Sequence, residues 1–299
     1  MTTPRPTERQ LRDELIRFSR LCYERRLLVA LDGNLSARLG AEQVLCTRAG
    51  CHKGLVTDDD LVVVDRHGAL ARGTGRPTSE LRMHLACYDA RPDVQAVIHA
   101  HPPTCIAFTI AGVTLARCVL PEVVLTLGTV PTLPYDTTGT RALAERVGQA
   151  VANHDAMMLD RHGAVCVGTS VLDAFCKLET LEHMAHIMKA AHALGAIRDL
   201  PCDEAVRLRK LGLARYGGPP AAVARLGEQG ADLPDSCFTC AGCERAPAAS
   251  PSARPRPSPE LGPPPFAPAP AADAARASAA HDASSLERSV QDAIRRLLG

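Results

Sequence analysis

The stretch Arg91-Pro92-Asp93-Val94-Gln95-Ala96-Val97-Ile98-His99-Ala100-His101-Pro102-Pro103 holds a strand, its two stops and a histidine pair in one run. Pro92 ends whatever helix precedes it. Val94–His101 is an apolar run of strand length, and Pro102-Pro103 closes it. Side chains at i and i+2 of a strand share a face, so the His99 and His101 imidazoles stand side by side at the end of this strand. Two imidazoles so placed can hold one divalent ion. Taken alone, the pair equally fits two unrelated surface histidines.

Working outward, the periodicity alternates between helix and strand. Residues 8–28 read as a helix with Leu11, Leu15, Phe18, Leu21 and Cys22 along one stripe. Leu35–Leu39 and Glu42–Cys46 read as short strands around Gly40, and Leu61–Asp65 as another. Residues 79–90 form a helix stopped by Arg91-Pro92. Downstream come helices over 103–111, 140–153 and 170–194, with strands Ala156–Leu159 and Ala164–Gly168 flanking Arg161-His162-Gly163. The expectation is a mixed α/β fold with helices set against a largely antiparallel sheet.

His162 gives the histidine pair its meaning. Three imidazoles with an open fourth position are the pattern of a catalytic zinc site. Nitrogen ligands suit zinc over magnesium or calcium, and leave cobalt, manganese and iron open. Gly75-Arg76-Pro77-Thr78-Ser79-Glu80 then leads into a helix. Thr78 or Ser79 reads as its N-cap, with free backbone N–H groups for an anion. Glu80 falls in the first turn, where the helix dipole favours a carboxylate. His84, beside Leu81, Leu85 and Tyr88, reads as packing. Gly33-Asn34-Leu35-Ser36-Ala37-Arg38 and Thr47-Arg48-Ala49-Gly50 are turns able to present amides to a phosphate. Neither is a P-loop, so nucleoside triphosphates are not indicated.

The chain has 299 residues, with 34 Lys and Arg against 33 Asp and Glu, a net charge of +1. Nucleic-acid binders usually show a basic excess, and five Phe, four Tyr and no Trp leave little to stack bases on. No apolar run is long enough for a membrane span. The N-terminal residues lack the apolar core of a secretion signal, so a cytoplasmic protein with reduced thiols is expected. Cys22, Cys46, Cys87, Cys105, Cys118, Cys166 and Cys176 sit in apolar runs and read as small core hydrophobes. The composition breaks near residue 217, and ten of the 23 prolines fall within 247–270. A catalytic domain over 1–218 and a mostly disordered Pro/Ala-rich tail over 219–299 are expected. The tail carries Cys237, Cys240 and Cys243 in a C-x2-C-x2-C run, either a second metal site or a redox-sensitive thiol cluster. It also carries a helical apolar spacing over 284–298.

In order and spacing, these segments resemble the class II aldolase/adducin family. The resemblance rests on Gly33–Arg38, Thr47–Gly50, Lys53-Gly54-Leu55, Asp59–Val62, Pro77–Glu80, Arg91–Pro102, Pro134-Tyr135 with Gly139-Thr140, and His162-Gly163, and covers roughly residues 8–217. It implies a three-layer fold: a central, mostly antiparallel sheet with helices on both sides. It implies a homotetramer with interfacial active sites. It further implies that His99, His101 and His162 hold Zn2+, and that Glu80 is the acid/base and can be a further metal ligand. Gly33, Asn34, Gly50, Thr78 and Ser79 would bind phosphate. Tyr216, before Gly217, would be a catalytic phenol. The chain departs from fuculose-phosphate aldolases at Leu31 and Ala49, where those enzymes have threonines. It also has no interfacial tyrosine near Leu120, where Glu122 is the nearest polar residue.

The resemblance therefore implies a zinc-dependent lyase: an aldolase cleaving a ketose 1-phosphate into dihydroxyacetone phosphate and an aldehyde, with no lysine Schiff base. The same zinc and carboxylate also fit a methylthioribulose-1-phosphate-type dehydratase or a 3-keto sugar acid phosphate decarboxylase. The 4-epimerase branch typically has Asp where this chain has Glu80. Adducin heads share the fold without the zinc histidines, and all three histidines are present here.

Overall fold

A computed structural model of the chain describes residues 5–220. The expectations for Cys237, Cys240 and Cys243, for the Pro-rich stretch and for 284–298 lie outside the described residues. In chain order the elements are α1 (Glu8–Glu24), β1 (Asn34–Arg38), β2 (Gln43–Thr47), β3 (Leu61–Asp65), β4 (Leu70–Arg72), α2 (Leu81–Ala90), β5 (Ala96–Ala100), α3 (Pro103–Ile110), α4 (Pro121–Thr126), β6 (Thr132–Leu133), α5 (Arg141–Val151), β7 (Ala156–Leu159), β8 (Gly163–Gly168), α6 (Val171–Leu194) and α7 (Cys202–Tyr216).

The strands form one sheet in the order β4-β3-β2-β1-β5-β8-β7-β6. Every pairing is antiparallel except β6 with β7. β5, the strand of the opening stretch, lies between β1 and β8, with Asn34 opposite His99 on one side and Val165 opposite His99 on the other. The period-2 alternation decides which residue meets which helical layer. Ala96, Ile98 and Ala100 of β5, Ala164 and Cys166 of β8, and Leu61 and Val63 of β3 pack with α1, α3 and α6. Val97, Val165, Val167, Val62 and Val64 turn the other way, against α2 and α5. Both faces are covered, which is why the strands read as unbroken apolar runs rather than as polar–apolar alternation.

Several boundaries differ from expectation. α1 starts at a capping box between Thr7 and Gln10 and ends at Glu24, because Arg26 takes φ 60° and breaks the helix. α4 and α7 were not evident from periodicity; they pack together through Cys118, Val124, Ala205 and Leu208. The N-cap of α2 is Glu80, not Thr78 or Ser79. Cys22, Cys46, Cys87, Cys105, Cys118 and Cys166 are buried as expected, but Cys176 is exposed on α6. Among the described residues no helix is long and apolar enough to cross a membrane.

Candidate metal centre and active site

Three loops and one strand end deliver the site. His99 is on β5, fully buried, and His101 follows just past that strand. His162 sits in the β7–β8 turn, whose Arg161 takes φ 56°. The three rings cluster with centroids 4.7–5.1 Å apart, and one ring nitrogen from each lies within 4.8 Å of the others. Gly163 makes this possible. A Cβ there would stand 2.5 Å from the Ala100 carbonyl oxygen and 2.8 Å from His101 Cδ2. Gly33 performs the same service on the other side. It takes φ +66°, and a Cβ there would lie 2.7 Å from the His99 carbonyl oxygen.

The polar atoms of the cluster face one another as acceptors. His99 Nδ1–H donates to the Ala164 carbonyl at 3.0 Å, which leaves Nε2 bare in the neutral ring. That nitrogen meets His101 Nε2 at 3.1 Å and Glu80 Oε2 at 3.2 Å. Asp32 Oδ2 lies 3.5 Å from His101 Nδ1, turning that ring's Nε2 toward the same point. His162 Nε2 is 3.4 Å from Glu80 Oε1, while Glu80 Oε1 and His162 Nδ1 are buried with no hydrogen-bond partner. Convergent lone pairs without a donor between them are costly in a dry interior. A cation at their centre resolves the conflict, so the residues fit a divalent metal. Burial lowers the basicity of the His162 ring, whose pKa falls to about 4, and of the His101 ring, which favours the neutral ligand form. Burial alone would lift the Glu80 carboxyl. The hydrogen bond and charge of His99, the Asn34 amide and His162 outweigh it and hold the group well below the usual carboxylate range.

The placement of Glu80 explains its unusual cap position. Its side chain makes no cap bond. Asn34 Nδ2 donates to its Oε2 at 2.9 Å, and the backbone N–H of Glu80 goes instead to Thr78 Oγ1 at 3.3 Å. The carboxylate is thus free to face the histidines.

An opening of about 290 Å³ lies over the cluster. Gly33, Asn34, Gly50, Thr78, Ser79, Glu80, His101 and His162 all line it, so the expected anion-binding turns and the expected acid/base meet the metal cluster in one place. Leu31 and Ala49 line it too and bring no hydroxyl. Tyr216 does not line it; the phenol stands 58% exposed at the end of α7.

Four wall or support residues carry no individual site role in their sequence pattern. Asp32, Arg48 and Lys53 line the opening. Lys53 is 1% exposed and donates to the Leu31 and Cys51 carbonyls at 3.1 and 2.9 Å, tying together two turns that wall the opening. Burial lowers its pKa. The fourth is His84, which is not mere packing. It is fully buried and bonded on both nitrogens, to Ser36 and to Asn34. It lies four residues past Glu80, one turn into the helix that Glu80 caps.

Residues 13–188 match the family Class II Aldolase and Adducin N-terminal domain. The L-fuculose phosphate aldolase of Methanococcus maripaludis is 33% identical over 174 residues, covering 58% of this chain and 93% of that protein. The 3-oxo-tetronate 4-phosphate decarboxylase of Cupriavidus necator is 32% identical over 217 residues, covering 70% of this chain and 99% of that protein. A solved structure of an L-fuculose 1-phosphate aldolase superposes with a TM-score of 0.62 at 27% identity, over 67% of this chain and 95% of that one. The histidine cluster, the sheet order and these matches converge: the chain belongs to the class II aldolase and adducin N-terminal domain family.

Proposed function

We propose that the protein is a zinc-dependent lyase acting on a small sugar phosphate, and that its reaction is the retro-aldol cleavage of a ketose 1-phosphate of deoxy-ketose type. The observation that carries this reading is the meeting of three imidazoles and one carboxylate beneath an opening lined by anion-binding turns. His99, His101 and His162 would hold the ion, with Glu80 as an additional ligand in the absence of substrate. A bound zinc supplies a Lewis acid for the substrate's carbonyl and neighbouring hydroxyl oxygens.

The chain's own residues do the rest. Gly33, Asn34, Gly50, Thr78 and Ser79 orient the phosphate, and Lys53 and Arg48 place positive charge in the same wall. The Glu80 carboxylate takes the C4 hydroxyl proton as the C3–C4 bond breaks; the aldehyde departs, and the bonding electron pair stays on the three-carbon fragment, delocalised toward the carbonyl. Glu80 returns a proton to C3, giving dihydroxyacetone phosphate. The chain is proposed to work as a homotetramer. Tyr216, exposed and outside its own chain's opening, would then reach a neighbouring subunit's site and hydrogen-bond the C4 oxygen, giving it a proton only in the reverse, condensation direction.

A second reading has its own support. The match to the decarboxylase runs over 217 residues and 99% of that protein. In that reaction a 3-oxo acid phosphate loses carbon dioxide, and Glu80 protonates the carbon left behind. The zinc-loaded protein is tested with both substrate types in parallel, following dihydroxyacetone phosphate in one and carbon dioxide in the other. Product only in the second assay replaces the aldolase reading with the decarboxylase one. Product in neither, with metal bound, overturns both.

A further inference from the structure

We propose that His84 is a positioning residue that fixes the Glu80 carboxylate by locking the orientation of the Asn34 amide. Glu80 stands at the N-cap of α2, His84 and Tyr88 follow at i+4 spacing along the helix, and Asn34 and Ser36 share one face of β1. Between them runs one unbroken line of hydrogen bonds. Tyr88 Oη lies 2.8 Å from Ser36 Oγ, Ser36 Oγ 2.7 Å from His84 Nδ1, His84 Nε2 2.5 Å from Asn34 Oδ1, and Asn34 Nδ2 2.9 Å from Glu80 Oε2. Ser36 and His84 are 0% exposed, and Tyr88 and Asn34 are each 4% exposed.

The direction of every bond follows from its end. The Glu80 carboxylate only accepts, so Asn34 must present its amide nitrogen to it and its carbonyl oxygen to His84. That oxygen also only accepts, so His84 carries its hydrogen on Nε2. Nδ1 is then bare and accepts from the Ser36 hydroxyl, which in turn accepts from the Tyr88 phenol. Burial keeps the ring neutral, with its pKa lowered to about 3. The far end is anchored as well: Arg38 donates to the Tyr88 carbonyl at 2.8 Å and lies over its ring at 4.7 Å.

Removing the Nε2–H donor leaves the Asn34 amide free to flip. A flipped amide turns its oxygen toward the carboxylate, and Glu80 loses its only hydrogen-bond donor from β1. His84 bonds through both ring nitrogens to Ser36 and Asn34 and not to His99, His101 or His162, so its substitution is expected to leave the three-histidine metal site loaded. The inference deepens the proposed function, because it rests on Glu80 moving the proton.

The test compares His84→Asn with His84→Gln in the zinc-loaded protein. Glutamine can set an N–H near the place of Nε2, whereas asparagine reaches only as far as Nδ1. His84→Asn is expected to lower kcat by about 10–100-fold with KM changed less than about 3-fold, the range seen when a supporting partner is lost. His84→Gln is expected to recover most of that loss. Equal kcat losses in the two variants, both folded and metal-loaded, would overturn the proposal, as would an undiminished kcat in His84→Asn. A second readout needs no turnover: nitrogen-15 NMR of the wild-type protein. His84 protonated on Nε2 and bare on Nδ1, with a slowly exchanging Asn34 side-chain amide, supports the lock; the opposite tautomer sinks it. If neither substrate class reacts, the proposed activity falls while the NMR result still decides the role of His84.

Discussion

Asp155 and Arg91 form a buried ion pair, with Oδ1 2.6 Å from Nη1 and each side chain 5% exposed. Asp155 Oδ2 also accepts from Lys177 Nζ at 2.9 Å. Arg91 follows α2 on one face of the sheet and Lys177 belongs to α6 on the other, so one carboxylate at the start of β7 ties both helical layers together. Removing one member of such a group strands the others. Asp155→Asn is expected to destabilise the fold by about 3–5 kcal/mol, measured by urea unfolding at neutral pH.

The pH dependence of that contribution has a defined sign. Burial would raise the Asp155 carboxyl, but Lys177 and Arg91 outweigh it and hold the group below its ordinary value. A carboxyl depressed in the folded state contributes fully above its unfolded pKa of about 3.9, and the contribution is lost as pH falls through the lower folded value. The gap between the melting curves of wild type and Asp155→Asn should therefore be constant near neutral pH and narrow as pH falls below about 3.9. A gap that stayed constant below that pH as well would remove the ion pair as its cause.

At the metal centre, His99→Ala, His101→Ala and His162→Ala are each expected to lose most bound metal and activity, since a three-nitrogen site cannot hold zinc firmly with two. Glu80→Gln separates holding from chemistry. It keeps fold and most metal but should lose about 10²–10⁴-fold in turnover, because an amide carries no proton. Elemental analysis and steady-state rates on the same preparations check both. Full metal occupancy in all three alanine variants would refute the assignment.

Much of this centre was legible because strand chemistry is short-range. Period-2 alternation in Ala96–His101 fixed the face of His99, and Pro102 fixed where the strand stops. What escaped was set by contacts distant in sequence. The α7 stripe Ala205, Leu208, Arg209, Gly212 and Leu213 has helical spacing, but a charge and a glycine dilute its apolar signal. Gly212 is there for packing: a Cβ on it would come within 2.7 Å of the Leu125 carbonyl carbon on α4. Glu80 looked like a first-turn acid and is a cap without a cap bond, because Asn34 and the histidines claim its carboxylate. His84 looked apolar in company and is hydrogen-bonded on both ring nitrogens. Only the pairing of α2 with β1 shows its partners, and no local pattern encodes that pairing.

Gly163→Ala isolates the shape of the site from its chemistry. No ligand is removed, but the added methyl meets the Ala100 carbonyl oxygen at 2.5 Å and His99 Cε1 at 3.0 Å, with backbone on one side and a metal-facing ring on the other. Neither is free to move far, since Ala100 and Ala164 pair across β5 and β8. A destabilisation of about 1–3 kcal/mol is expected, as for overpacking elsewhere. Weakened metal affinity should accompany it, because the rings are pushed apart. Chelator competition and thermal melting measure the two effects. Unchanged affinity alongside a lowered melting temperature would show that the ring cluster tolerates displacement.

The last prediction concerns where the working unit ends. Among the described residues, the buried clusters on both faces of the sheet and between α4 and α7 run from Leu11 to Leu208. The residues that line the candidate opening all lie before Gly163. A chain ended after residue 220 keeps all of these and keeps Tyr216, whose phenol is proposed to serve a neighbouring subunit. It is therefore expected to melt as a cooperative unit, bind metal as the full chain does and turn over at a comparable rate. The readouts are metal-to-protein ratio, oligomeric mass and kcat for the two proteins side by side. A fall of about one metal ion per chain would assign a second, thiolate site to Cys237, Cys240 and Cys243, with a fourth ligand such as Cys202, since structural zinc takes four. Loss of the oligomer with kcat would instead give the segment after residue 220 a structural role. Either result would move the boundary of the catalytic unit beyond α7.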